Sequence, residues 1–140
     1  MKMLKISEIQ DCTSWECVHF INKKQLDISI DELNSLGIYT ASISGALINN
    51  ENELFKSLAE AFSFPDYFGN NWDALSDCLG DLTWLPASKG FVLIFESSDL
   101  MLSDCSFITG KLISLWLSVA ELWSGDEIPF HLIFSFDHDV

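Results

Sequence analysis

Two blocks of this chain are almost wholly apolar. FVLIFE (91–96) and FHLIFSF (130–136) each run for a strand's length with hardly a polar break. Such runs mark strands covered on both faces, as in parallel sheets. YTASISG (39–45) alternates small and β-prone residues and stops at a glycine, so it predicts a third strand. WECVHFI (15–21), apolar with aromatic and β-branched members and closed by Lys23 and Lys24, predicts a fourth.

Between these blocks the period changes to that of helices. SIDELNSLG (29–37) predicts a short helix with Ser29 as its cap and Gly37 as its stop. Asn49 or Asn50 can cap a helix over 51–62, where Leu54, Leu58, Ala61 and Phe62 recur at helical spacing before Pro65 blocks continuation. A turn, PDYFGN, follows. Asn70 or Asn71 can then cap a second helix whose apolar side is Trp72, Leu75, Cys78 and Leu79, with Gly80 at its end. A longer helix is predicted over 107–123, ending near Gly125.

From Tyr39 onward the order is β-α-α-β-α-β. That alternation predicts an α/β fold: a small parallel sheet of about three strands with helices packed on it. The first 38 residues are too few for their own core. They are expected to add a strand and a short helix to one domain spanning 1–140, with 39–136 as its centre.

Composition then narrows the function. The 140 residues carry a net charge of −14, and all seven basic residues are lysines. Nucleic-acid binding rests on Lys and Arg neutralising phosphates, so it is disfavoured, and so is attraction to an anionic membrane. A field this negative speeds encounter with a basic partner. MKMLKISEIQDC has no apolar signal-peptide core, and LISLWLSVAELW (112–123) is too short to span a bilayer, so a cytoplasmic protein is expected. Cys12, Cys17, Cys78 and Cys105 form no CxxC pair, and with His19, His131 and His138 they show no zinc spacing. They read as free thiols, with Cys78 and Cys105 packed as small hydrophobes. No metal or cofactor is called for.

The chemistry concentrates in FPDYFGNNWDALSDCLG (64–80). Asp73 and Asp77 are four residues apart on one helix face, and Asp81 follows four later. Like charges at that spacing cost a few tenths of a kcal/mol (about 0.2–0.5), and anions near a helix C-terminus oppose its dipole. Four readings are open: a solvated acidic face, a carboxylate pair for acid–base work, part of a divalent-ion site, and a contact surface for a cationic protein. No pocket-forming pattern or further oxygen ligands accompany the pair. Tyr67 and Phe68 just before the helix are aromatics of the kind that anchor interfaces, although Phe68 and Trp72 also suit a core. No nucleophile motif stands out.

PDYFGNNWDALSDCL (65–79) resembles the signature of the barstar family, intracellular inhibitors of secreted microbial ribonucleases. The proline, acidic residue, tyrosine, second aromatic and glycine match in order, as do the asparagine and the DAL and DCL triplets. A looser likeness runs from about Tyr39 to Ser135. The resemblance implies a barstar-like layered α/β fold and a non-enzymatic inhibitor, an immunity protein whose helix and preceding loop enter a basic ribonuclease toxin's active site. Asp77 would be the central carboxylate standing in for a substrate phosphate, and Asp73 a supporting one. Tyr67, Gly69 and Asn71 match contact and turn positions of the motif. Glu121 is the nearest match to a glutamate on the family's last helix, one position out of register unless a deletion precedes Gly125. Ser76, Asp81 and Leu82 depart from the family pattern, all on what reads as the binding side. The expected contact set is therefore Tyr67, Phe68, Gly69, Asn71, Asp73, Ser76, Asp77, Asp81 and Glu121, on a monomer. The alternative is the same fold used as a regulatory module on another basic protein.

Overall fold

The computed structural model describes residues 2–138. The elements in chain order are α1 (Ile6–Ile9), β1 (Val18–Asn22), α2 (Ile30–Ser35), β2 (Ile38–Ser44), α3 (Glu51–Ala61), α4 (Trp72–Asp81), β3 (Gly90–Glu96), α5 (Asp99–Asp104), α6 (Ser106–Ser124) and β4 (Phe130–Phe136). Short 3-10 turns occupy Ser14–Glu16, Lys23–Gln25 and Gly45–Leu47. The fold is α/β. Its four strands are all parallel, in the order β1-β4-β3-β2.

The apolar runs sit where burial on both faces demands them. β4 is buried along its whole length and β3 over all but Glu96. Alternate residues serve two separate cores. Phe91, Leu93, Phe95, Leu132 and Phe134 join the larger one, under Leu54, Phe55 and Leu58 of α3, Leu75 and Leu79 of α4, and Leu112, Trp116 and Val119 of α6. Trp116 is fully buried, stacks on Phe130 at 4.1 Å between ring centroids and donates its indole N–H to the Phe130 carbonyl at 3.1 Å. Val92, Ile94 and Ile133 face the other way, against Leu4, Ile9, Ile28 and Leu33.

The N-terminal segment thus does more than lengthen the sheet. Ile9 and Leu33 are fully buried, each worth about 1.5–3 kcal/mol of apolar transfer. They cover a sheet face that would otherwise be wet. β1 lies beside β4, in register from Val18 with Leu132 to Asn22 with Phe136.

Two predicted boundaries move. The expected strand at 15–21 begins only at Val18, because Ser14–Glu16 winds into a 3-10 turn and carries Trp15 into solvent. Gly80 does not end its helix. α4 continues to Asp81 and stops at Leu82, which adopts a left-handed conformation (φ 52°) and returns its N–H to the Cys78 carbonyl at 3.2 Å. Leu82 accepts that strained backbone because its side chain is buried in the core. The helices α1 and α5 are additions that the apolar period did not signal, at four and six residues.

One polar arrangement lies where β1 pairs with β4. His131 of β4 is fully buried. Its Nε2 meets the Asp11 carbonyl at 2.7 Å, and its Nδ1 meets Nε2 of His19 at 2.8 Å. A carbonyl only accepts, so His131 carries its proton on Nε2, and His19 donates to the free Nδ1. The two rings stack at 5.1 Å. Burial first, and the neighbouring His131 second, hold His19 down to about 4, and burial holds His131 below its usual range.

Among the cysteines, Cys17 and Cys78 are the buried pair, while Cys105 is half-buried with its Sγ 3.6 Å from the Ile48 carbonyl. The expectation for Cys105 gives way to Cys17, whose burial pushes its thiol up to about 11.

Candidate functional site: the acidic face of α4

The loop before α4 is shaped by three residues of the motif. Asn71 is the cap: its side-chain oxygen accepts the Ala74 N–H at 2.8 Å, and its amide donates back to the Gly69 carbonyl at 3.2 Å. Asn70 takes the left-handed backbone (φ 51°) that turns the chain into the helix, a conformation asparagine tolerates well. A Cβ on Gly69 would come within 3.1 Å of the Asn71 amide, so a side chain there would press on the cap.

The two aromatics of the loop point opposite ways. Tyr67 is 74% exposed. Phe68 is buried, packed against Phe55 and Phe64 at 6.3 and 4.9 Å between ring centroids. Phe68 is thus a core residue that holds the loop down.

Both ends of α4 are tied to the helices beside it. Trp72 donates its indole N–H to Glu51 of α3 at 3.2 Å and sets its edge on Phe55 at 5.1 Å. The Lys111 ammonium of α6 lies 4.8 Å above the Trp72 ring and 4.0 Å from the same Glu51 oxygen. At the far end, Trp123 of α6 donates to the Leu79 carbonyl at 2.9 Å. With Leu75, Cys78 and Leu79 buried, the helix can turn only one side outward.

That side carries Asp73, Asp77 and Asp81, all exposed. Asp81 accepts the Thr83 N–H at 3.4 Å. Among the described residues no hydrogen bond or ion pair reaches Asp73 or Asp77. Among the described residues the ion pairs are Lys23 with Asp137 and Lys111 with Glu51. The field is felt next door: burial, then Asp77 and Asp81, raise the Cys78 thiol. Ser76 is half-buried on the flank of the helix.

Glu121 is exposed on α6 and lines a shallow groove with Ser14, Trp15, Leu117 and Ser118. A second groove, between α4 and α6, is lined by Trp72, Lys111, Ser114, Leu115 and Ser118. Glu121 therefore belongs to the flank of α6 that faces the Ser14–Glu16 turn, not to the flank that faces α4. Leu82, counted from sequence among departures on the binding side, is buried and belongs to the core. Among the described residues no three His, Cys, Asp or Glu side chains converge to hold a metal ion, and no helix is long and apolar enough to cross a membrane.

A family model described as Barstar (barnase inhibitor) matches residues 38–135, well over half of the chain. The chain belongs to the barstar family. No curated protein sequence matches it. The family match runs from the start of β2 nearly to the end of β4, and it contains all of α4 and its loop. The segment before residue 38, with β1, α1, α2 and the histidine partner His19, lies outside it.

Proposed function

We propose that this protein is the intracellular inhibitor, or immunity partner, of a basic ribonuclease, and that α4 and its loop enter the enzyme's active site. One observation carries the reading: Asp73 and Asp77 are held outward on a helix fixed at both ends, and among the described residues no ion pair answers them. Charges placed against local helix preference are expected where function overrides stability. Tyr67 supplies an exposed aromatic beside them, and Gly69 and Asn71 hold the loop in shape. The charge of −14 favours rapid encounter with a cationic enzyme. Membership of the family supports the partner class, and the protein itself performs no catalysis in this reading.

The test is a ribonuclease assay with barnase as the probe. Stoichiometric loss of activity on adding this protein is the expected result. Undiminished activity with the protein in excess, together with no binding heat, overturns the reading.

A further inference from the structure

We infer that Trp15, on the N-terminal segment outside the family match, is a second anchor for the same basic ribonuclease, taking a cationic side chain between its ring and Glu121. The inference rests on the proposed function, and it names a contact that the motif does not contain.

Three observations support it. The first is exposure. Trp15 is 79% exposed, more than any other large apolar side chain described, in a chain whose other four tryptophans are half-buried or buried and each donate their indole N–H to a partner. A tryptophan on the surface, with a large ring and little conformational entropy to lose, is the residue type most enriched among interface anchors.

The second is position. The Ser14–Glu16 turn packs against α6. Its groove, with Leu117, Ser118 and Glu121, shares Ser118 with the groove between α6 and α4. The exposed side of α6 is therefore one continuous surface from Trp72, next to Asp73, to Trp15. α3 packs on β2 and α6 on β4, and the turn that carries Trp15 meets α6 just before the chain enters β1, the edge strand beside β4.

The third is charge. Trp15 has the exposed Glu16 next to it in sequence and Glu121 across the groove. An aromatic face between carboxylates suits a lysine or arginine, through cation–π attraction and ion pairing together. The exposed Leu122 follows Glu121 on α6 and offers apolar surface beside it.

Calorimetric titration of barnase with the full chain, Asp77→Ala, Trp15→Ala and Trp15→Phe tests this. The expected result is that Trp15→Ala weakens binding roughly ten- to thirtyfold, the range for an aromatic anchor, whereas Trp15→Phe loses only a fewfold. Added salt should shrink the Asp77→Ala effect more than the Trp15→Ala effect, because a charge–charge pair is screened more than a ring that contributes apolar contact as well as attraction for a cation. The turn makes few contacts through this side chain, so Trp15→Ala should keep the unmodified unfolding midpoint. Loss of affinity in Asp77→Ala with unchanged affinity in Trp15→Ala overturns the inference and leaves the proposed function standing. Absence of binding by the unmodified chain overturns both.

Discussion

The pair Asp73 and Asp77 and the pair His19 and His131 each bring two ionisable side chains together, yet they sit at opposite extremes. The aspartates stand in water on α4, with no hydrogen bond or ion pair among the described residues. The histidines stand within the sheet, one fully buried and one half-buried, and their hydrogen bonds run in a single direction from His19 through His131 to the Asp11 carbonyl. A polar group in the interior costs free energy unless it is matched, so the fold must supply its partner. A charge on the surface is already solvated and can wait for a partner from another molecule. The comparison separates the polar residues that the fold itself answers from those it leaves to solvent.

The sharpest way to break this contrast is to remove one member from each side. Asp77→Ala should weaken binding to barnase by about 2–5 kcal/mol, a range that rests in part on the barnase–barstar complex itself. Its unfolding free energy should stay within about 0.5 kcal/mol of the unmodified chain, as for other surface substitutions. Calorimetry and urea unfolding of the same preparation measure both. A large loss of stability would mean that Asp77 serves the fold after all.

His131→Ala should behave in the opposite way. It strands the Asp11 carbonyl and leaves a cavity, so urea unfolding should show a loss of about 2–4 kcal/mol. Binding, read at a temperature where the variant is folded, should be unchanged, since the histidines lie within β1 and β4, away from α4.

Acid sharpens the same contrast. Both histidines have folded-state values below their unfolded value near 6.5, His19 at about 4. The unfolded chain therefore takes up protons first as pH falls. The stability they contribute is fully present above pH 6.5 and is lost between there and about pH 4, by on the order of 1–2 kcal/mol after allowing for solvent around the half-buried His19. Unfolding midpoints across this range should fall, and His19→Gln should flatten the slope.

The smallest effect is on α4 alone. Asp81→Asn relieves a like charge four residues from Asp77 and an anion at the helix C-terminus, and should raise stability by about 0.2–0.5 kcal/mol. Thermal melts at low salt would show it, and the difference should shrink at high salt.

Much of this was legible in the chain because it depends on local order. β3 and β4 were visible as apolar runs, and α3 and α4 through their asparagine caps. The motif marked α4 and its loop as the candidate site. Other features were not legible because they depend on which way a side chain turns. Tyr67 and Phe68 are adjacent aromatics of similar size, and only the packing of Phe68 against Phe55 and Phe64 separates them. Leu82 was counted on the binding side by its place in the motif, whereas the left-handed backbone at the end of α4 goes with a side chain buried in the core. His131 was recognisable as lying within a strand, but its partner His19 is 112 residues away and no local pattern links them.

The sequence by itself determined the element types, the acidic surplus and the carboxylates at helical spacing, since propensity, period and charge are carried residue by residue. Only the tertiary structure decided that the N-terminal segment covers the second face of the sheet, that Glu121 faces Trp15 rather than α4, and that the histidines answer each other. Those outcomes depend on which buried polar groups and apolar faces find each other across the chain, and distance along the sequence carries no record of that.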